Sequence, residues 1–195
     1  MEKRNSIRYL TYEQKKRFLK TLADSKRGWR DYFMFDLMLN TGLRLSEAIN
    51  LDAKGVHNGY SAREALEING KGNRVRLIPL NRDIRDHIEK YIRQRKTKDK
   101  SFSITDPLFL SRNRRRISQR AVQLNFDNWI KESGIEGKYS PHSLRHTVGT
   151  ELMRKTNNIR KVQEFLGHKF VSTTQIYTGV TKEDLAECAE LLSAG

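Results

Sequence analysis

The sequence predicts a mainly α-helical domain with one small antiparallel β-sheet, an α+β fold. Three observations predict it. Segments with helical apolar spacing recur along the chain, most of them opened by a Ser, Thr or Asn cap. One stretch alone, residues 65–80, changes to short β-prone runs around a glycine-rich turn. At 195 residues the chain is long enough to bury a core without disulfide or metal staples.

The elements follow in order. "TYEQKKRFLKTLAD" (11–24) opens with Thr11 and Gln14 at capping-box spacing and reads as a helix, with Leu10 placed to staple onto its first turns. Residues 29–40 are apolar nearly all round, which predicts a central, buried helix. "TGLRLSEAINL" (41–51) is a glycine turn followed by a short helix. "ALEIN" and "RVRLIPL" flank "GKGN", which predicts a β-hairpin with Lys71 near its tip. Asn81 caps a helix over 82–97 whose Ile84, Ile88, Tyr91 and Ile92 share a face, and 96–107 reads as a loop. "LFLS" (108–111) leads into "RNRRRISQR", the densest arginine cluster. Ser118 caps a helix with Val122, Phe126, Trp129 and Ile130 inward, stopped by Gly134. Ser140 and Pro141 start another, since proline suits the first helical position. "NIRKVQEFLGH" (158–168) is a short helix ending at Gly167, "STTQIYTGV" (172–180) carries Tyr177, and "TKEDLAECAELLSA" (181–194) is a final amphipathic helix. No internal repeat interrupts the pattern, so residues 1–195 are expected to form a single domain.

Charge is the strongest compositional signal. Lys and Arg number 38 against 23 Asp and Glu, a net charge of +15. Such a surplus points to a polyanionic partner, nucleic acid before an acidic membrane surface. The single cysteine, Cys188, excludes an intramolecular disulfide and a cysteine-based zinc finger, and fits a reducing, cytoplasmic setting. No segment reads as a signal peptide or a membrane span. The most apolar run, 29–39, is too short and carries charges.

"SPHSLRHTVGTEL" (140–152) gathers two histidines and an arginine at the start of a helix. His142 and His146, at i and i+4, have the spacing of a metal pair. His142 and Arg145, at i and i+3, have the spacing of a phosphate clamp. A zinc site needs three or four ligands, and Ser143 stands where a metalloprotease helix needs its glutamate. The clustered carboxylates of a two-metal nuclease and the glycine-rich phosphate loop are both missing. We therefore expect neither metal nor cofactor. The phosphate reading gains Arg44 after a glycine turn, Lys71 at the hairpin, His168 after "FLG" and Tyr177 nine residues later. That set matches what metal-free attack on a phosphodiester requires. Guanidinium forks hold two phosphate oxygens and keep their charge. A tyrosine hydroxyl attacks once a base takes its proton, and a lysine can protonate the expelled oxygen.

These motifs resemble the catalytic domain of the tyrosine recombinases, the phage integrase family, over about residues 8–192. "TGLRLSEAINL" is similar to the family's first arginine box, which implies catalytic Arg44 supported by Glu47. "NGKGNRVRLIPL" is similar to its lysine hairpin, implying Lys71. "HSLRHTVGTEL" is similar to its His-x-x-Arg box, implying His142 and Arg145 and leaving His146 as a buried structural residue. "LGHKFVSTTQIYT" is similar to its last box, implying His168 and the nucleophile Tyr177. The resemblance implies the integrase catalytic fold and a site-specific DNA recombinase. Tyr177 would form a 3′-phosphotyrosyl link and release a 5′-hydroxyl. Arg44, Arg145 and His168 would hold the phosphate, Lys71 would protonate the leaving oxygen and His142 would assist proton transfer.

It further implies double-stranded DNA as partner and a tetramer on DNA with the C-terminal helix exchanged between subunits. The helical DNA-binding domain that precedes the catalytic domain in most of the family is expected to be absent. In the basic segment, Arg112, Arg114, Arg115 and Arg116 are expected on phosphates, with Gln119, Arg120 and Gln123 as base readers. Two other readings share the motifs: a type IB topoisomerase-like relaxer, and a non-catalytic DNA-binding regulator on the same fold.

Overall fold

The computed structural model describes residues 8–69, 75–167 and 181–193. Helix α2 (Trp29–Thr41) occupies the middle of the molecule, as its apolar circumference requires. Its Phe33, Met34, Phe35, Leu37, Met38 and Leu39 are at most 2% exposed. Around it pack α1 (Tyr12–Asp24), α5 (Arg82–Lys98), α7 (Pro141–Thr156) and α9 (Lys182–Ser193). Phe18 of α1, Phe35 of α2 and Phe126 of α6 (Gln119–Glu132) form a triangle of rings with centroids 5.4–5.5 Å apart. Phe33 stacks on Tyr91 of α5 at 4.3 Å. The two buried acids of α2 are both satisfied. Asp31 accepts from Trp129 Nε1 at 2.9 Å and pairs with Arg30, while Asp36 meets His87 Nδ1 at 2.7 Å.

The helix starts agree with their sequence signals. Thr11 and Gln14 form the reciprocal capping box of α1. Asn81 accepts from Ile84 N–H at α5, and Ser118 accepts from Ala121 N–H at α6. Ser140 precedes Pro141 at the start of α7, and Asn158 caps α8 (Ile159–Leu166). Leu10 is buried, but no staple forms at the first turn. The partner position is Lys15, which pairs with Glu151, and Leu10 N–H donates to Thr147 Oγ1 of α7.

Three features depart from the expectations. After α3 (Leu45–Asn50) the chain makes an extra helical turn, α4 (Ala53–Val56), too short for any periodic signal. The expected loop at 96–107 is helical through Lys98, because α5 ends one turn later than its apolar stripe. His146 is only half-buried, its ring edge-to-face with His142 at 4.5 Å.

Strands β1 (Ala65–Asn69) and β2 (Val75–Pro79) pair antiparallel, from Ala65 opposite Pro79 to Asn69 opposite Val75. The pleat turns Leu66, Ile68 and Ile78 inward and leaves Val75 and Leu77 exposed. Arg76 is in phase with the inward set, opposite Ile68. Helix α9 packs on α7, α8 and β2 of its own chain and buries Cys188, Ala189 and Leu192. Among the described residues no helix is long and apolar enough to cross a membrane.

The His87–Asp36 contact gives a pH signature. Its hydrogen bond to Asp36 raises the His87 pKa above 6.5 despite partial burial. A raised folded value means that the contribution is complete below the unfolded value. It is lost as pH rises through the folded one. We expect the stability gap between the unaltered chain and His87→Gln to be widest near pH 6. It should shrink on the alkaline side, as read from urea unfolding across pH; a gap that grows with pH would contradict the assignment.

Candidate active site

The site forms where two helices end. Helix α2 stops at Gly42 and α8 stops at Gly167, both in the left-handed conformation, with φ of 62° and 66°. A side chain at either position would be strained, and each would also collide. A Cβ on Gly42 would meet Leu166, and one on Gly167 would meet the Arg76 guanidinium. These two ends expose backbone carbonyls that carry the negative pole of each helix. Guanidinium groups fill the gap between them. Arg145, 3% exposed, donates from Nη1 to the Gly42 carbonyl and from Nη2 to the Leu166 carbonyl, both at 2.6 Å. Arg76 Nη1 donates to the same Leu166 carbonyl at 2.5 Å. Arg44 Nη2 reaches the Gly167 carbonyl at 3.3 Å.

Glu47 is the carboxylate that joins this group. It stands in the first turn of α3, where Arg44 is the cap residue. Its Oε2 accepts from the Arg44 backbone N–H at 2.7 Å and from Arg76 Nη2 at 3.0 Å, and its Oε1 accepts from Arg44 Nη1 at 2.9 Å. "RLSE" therefore works as a cap whose carboxylate also steers the side chain of the cap residue. The Arg44 side chain remains 42% exposed and available to a ligand.

The electrostatics are those of an anion site. Burial, then Arg44 and Arg76, push the Arg145 pKa down to about 10, and Glu47 offsets only part of this. The group stays charged at neutral pH; its depression comes first from the loss of solvent and then from the neighbouring guanidinium charges. Burial lowers Arg76 in the same direction, with Arg44 adding to it. His142, exposed on the first turn of α7, is held below 6.5 by partial burial and by the charges of Arg145 and Arg44. It is thus neutral at pH 7 and able to accept a proton. Among the described residues no three His, Cys, Asp or Glu side chains converge as a metal site would need.

Of the residues expected from sequence, Arg44, Glu47, His142 and Arg145 come together here. Lys71, His168 and Tyr177 lie outside the described residues. Arg76 was not expected. The available signal was the period-two pattern, which puts an arginine in phase with Ile78 on the inward face.

The basic segment is joined to the same site through α3. Arg116 donates to the Ile49 and Leu51 carbonyls at the end of that helix and pairs with Asp52 at 2.5 Å. Three of its N–H bonds thus go to acceptors of its own chain, while the side chain stays 34% exposed. Six residues of α3 rise about 9 Å, so the anchor lies one short helix from Arg44. Arg112, Arg115, Gln119, Arg120 and Gln123 are exposed. Arg114 is exposed but pairs with Asp99 and Ser101.

The sequence pattern of the phage integrase family matches residues 8–184. The chain belongs to that family. A tyrosine recombinase XerC from Caldanaerobacter subterraneus subsp. tengcongensis is 40% identical over 184 residues, 92% of this chain and 49% of the relative. The crystal structure of XerA recombinase superposes with a TM-score of 0.71 at 27% identity, over 92% of this chain and 63% of that one. XerH recombinase bound to difH substrate in a pre-cleavage complex also gives 0.71, at 26% identity, over 93% of this chain and 53% of that one. The chain spans about half the length of the curated XerC relatives it matches. The integrase catalytic fold is therefore established for it, with its mostly helical body and two-stranded sheet.

Glu47 separates like charges, so its loss should be costly and anions should compensate. Glu47→Gln is expected to lower unfolding free energy by roughly 2 kcal/mol in chloride, a value reduced for the exposure of Arg44. Sodium sulfate at matched ionic strength should stabilise the variant more than the unaltered chain, as measured by thermal denaturation. Equal stabilisation would show that no anion enters the cluster.

Proposed function

We propose that the chain is the catalytic domain of a site-specific DNA recombinase, which breaks and rejoins double-stranded DNA for integration, excision or inversion. The observation that carries this reading is the convergence of Arg44, Arg145 and neutral His142 at a site with a surplus of positive charge. Tyr177 Oη attacks the phosphorus and loses its proton, with His142 assisting that transfer. The P–O5′ bond breaks, and the leaving oxygen takes a proton from Lys71. Arg44 and Arg145, with His168, stabilise the charge on the non-bridging oxygens. The 3′-phosphotyrosyl link conserves the phosphodiester energy, so a partner strand's 5′-hydroxyl can reverse the step. The site requires no metal or nucleotide for this sequence of transfers.

Arg112, Arg114 and Arg115 would bind phosphates beside the site, and Gln119, Arg120 and Gln123 would read base edges from the start of α6. Arg116 serves by fixing this segment to α3. A DNA-associated, cytoplasmic location follows from the substrate. XerC and XerA are named as recombinases, and XerH was captured on its DNA site.

The chemistry is tested by covalent capture. The unaltered chain is incubated in EDTA with a pool of nicked duplexes of randomised sequence, then denatured. We expect a DNA-linked protein that Tyr177→Phe abolishes, and sequencing of the captured DNA then gives the target site. An adduct that survives Tyr177→Phe would move the nucleophile elsewhere.

We also propose a four-subunit assembly on DNA in which α9 passes to a neighbour. Exchange would have to rebuild on the neighbour the packing that buries Cys188, Ala189 and Leu192, whereas the ion pairs of Lys161 with Asp184 and Glu187 are partly exposed and contribute little either way. Deleting residues 183–195 should leave DNA binding largely intact and remove the tetramer on a captured target site, as seen by native gel electrophoresis. Full assembly and cleavage by the shortened chain would contradict the exchange.

A further inference from the structure

A cavity of about 560 Å³ lies where the start of α2, the end of α5, the basic segment and one face of α6 meet. We propose that it binds a purine nucleoside phosphate, at a site separate from the arginine cluster. The cluster forms at the other end of α2, about 20 Å away along the 13 residues of that helix. The volume is that of a small-molecule site. On α6 the cavity takes Ala121, Asn125 and Asn128, spaced i, i+4 and i+7, and leaves Gln119, Arg120 and Gln123 on another face.

Three observations set the ligand class. The first is charge. Arg27, Arg30, Arg95, Lys98, Arg112 and Arg114 line the cavity against two carboxylates, Asp31 and Asp99. Asp31 is engaged by Arg30 and Asp99 by Arg114, while Arg27 pairs with Glu132. Among the described residues Arg95, Lys98 and Arg112 have no carboxylate partner. Arg112 also belongs to the basic segment, but Arg95 and Lys98 stand at the end of α5. The surplus calls for a multiply charged anion. The second observation is a buried donor. Arg95 is 4% exposed, and its Nη1 donates to the Pro107 and Leu108 carbonyls at 3.2 and 2.8 Å. Its Nη2 is buried without a partner. An unmet donor on a buried charge is costly, and an anionic oxygen is the acceptor it lacks.

The third observation is the rest of the wall. Trp29, stacked on Tyr91 at 5.0 Å, and Trp129 line the cavity. Lys98 Nζ covers the Trp29 ring, 4.1 Å from its centroid. Lys98 is exposed, so it is free to yield the ring to a base and move to the phosphate. Asn125 and Asn128 make no hydrogen bond with the described residues, and their amides offer the donors and acceptors that a base edge needs. Charge alone would suit inorganic phosphate; rings and free amides add a place for a base, and a purine has the larger face to stack.

Both tryptophans of the chain line this cavity, so their fluorescence reads its occupancy. The unaltered chain, without DNA, is titrated with adenosine 5′-diphosphate, guanosine 5′-diphosphate and ribose 5-phosphate. Lys98→Glu, Asn125→Leu and, at the other end of α2, Arg44→Ala are titrated in the same way. Neither cavity position is fully buried, and thermal denaturation checks that each variant is folded.

We expect saturable quenching by the nucleotides, with ribose 5-phosphate about tenfold weaker for want of stacking. Lys98→Glu should weaken nucleotide binding about tenfold and Asn125→Leu about fivefold, the scales of a charged and a neutral hydrogen bond. Arg44→Ala should bind as the unaltered chain does. No saturable response to either nucleotide would overturn the proposal. Equal binding of ribose 5-phosphate would also overturn it, because the base would then have no site. Quenching that neither cavity variant weakens would place the nucleotide elsewhere, and loss in Arg44→Ala alone would place it on the arginine cluster; both contradict the proposal. None of these outcomes depends on DNA cleavage, so the recombinase reading stands or falls separately.

Discussion

The structure depends on one electrostatic arrangement: the carbonyl ends of α2 and α8 hold like-charged guanidinium groups side by side. Arg145 alone spans both helix ends through the Gly42 and Leu166 carbonyls. Without acceptors of fixed geometry, Arg145, Arg76 and Arg44 would repel one another and swing into solvent. The carbonyls carry partial negative charge at no cost in mobile side chains. Glu47 supplies the formal charge between Arg44 and Arg76. The remaining positive surplus is what an incoming phosphate would meet.

That arrangement is only as rigid as the helices that end in it, and here the core matters to function. Helix α2 is clamped on all sides by Phe18, Tyr91 and Phe126 among others, so its C-terminal carbonyls have little freedom. Helix α7 brings Arg145 in from its second turn, fixed at its start by Ser140 and Pro141. Gly42 and Gly167 then let the chain leave both helices without a side chain obstructing the cluster. Apolar packing and polar site geometry are thus two ends of the same elements.

Much of this was legible in the sequence, for reasons that are local. The caps at Thr11, Asn81 and Ser118 are short-range hydrogen-bond patterns, and each appears where its residue type predicts. The pairing of β1 with β2 was legible from two β-prone runs set either side of a short glycine-rich sequence. Arg44, Glu47, His142 and Arg145 were legible because their motifs are compact. The role of Arg76 was not, because its partners at Glu47 and Leu166 are distant in sequence and only the pleat reveals its inward phase. The anchoring contacts of Arg116 were hidden for the matching reason. In a run of arginines nothing local marks the one whose fork meets the Ile49 and Leu51 carbonyls.

The depressed pKa of Arg145 shows how such a cluster relates to catalysis. Burial and the neighbouring guanidinium groups push Arg145 down to about 10, and among the described residues Glu47 offsets only part of that. In the proposed reaction a phosphodiester would bring one negative charge to this cluster. The pentacoordinate transition state would concentrate more charge on the same non-bridging oxygens. An environment that gains more from the transition state than from the bound substrate lowers the barrier, and it does so without moving, because its dipoles are already in place. The same logic explains why the neutral state of His142 suits the site. Partial burial first, and then the charges of Arg145 and Arg44, hold the imidazole below its ordinary range, which leaves it neutral and open to a proton.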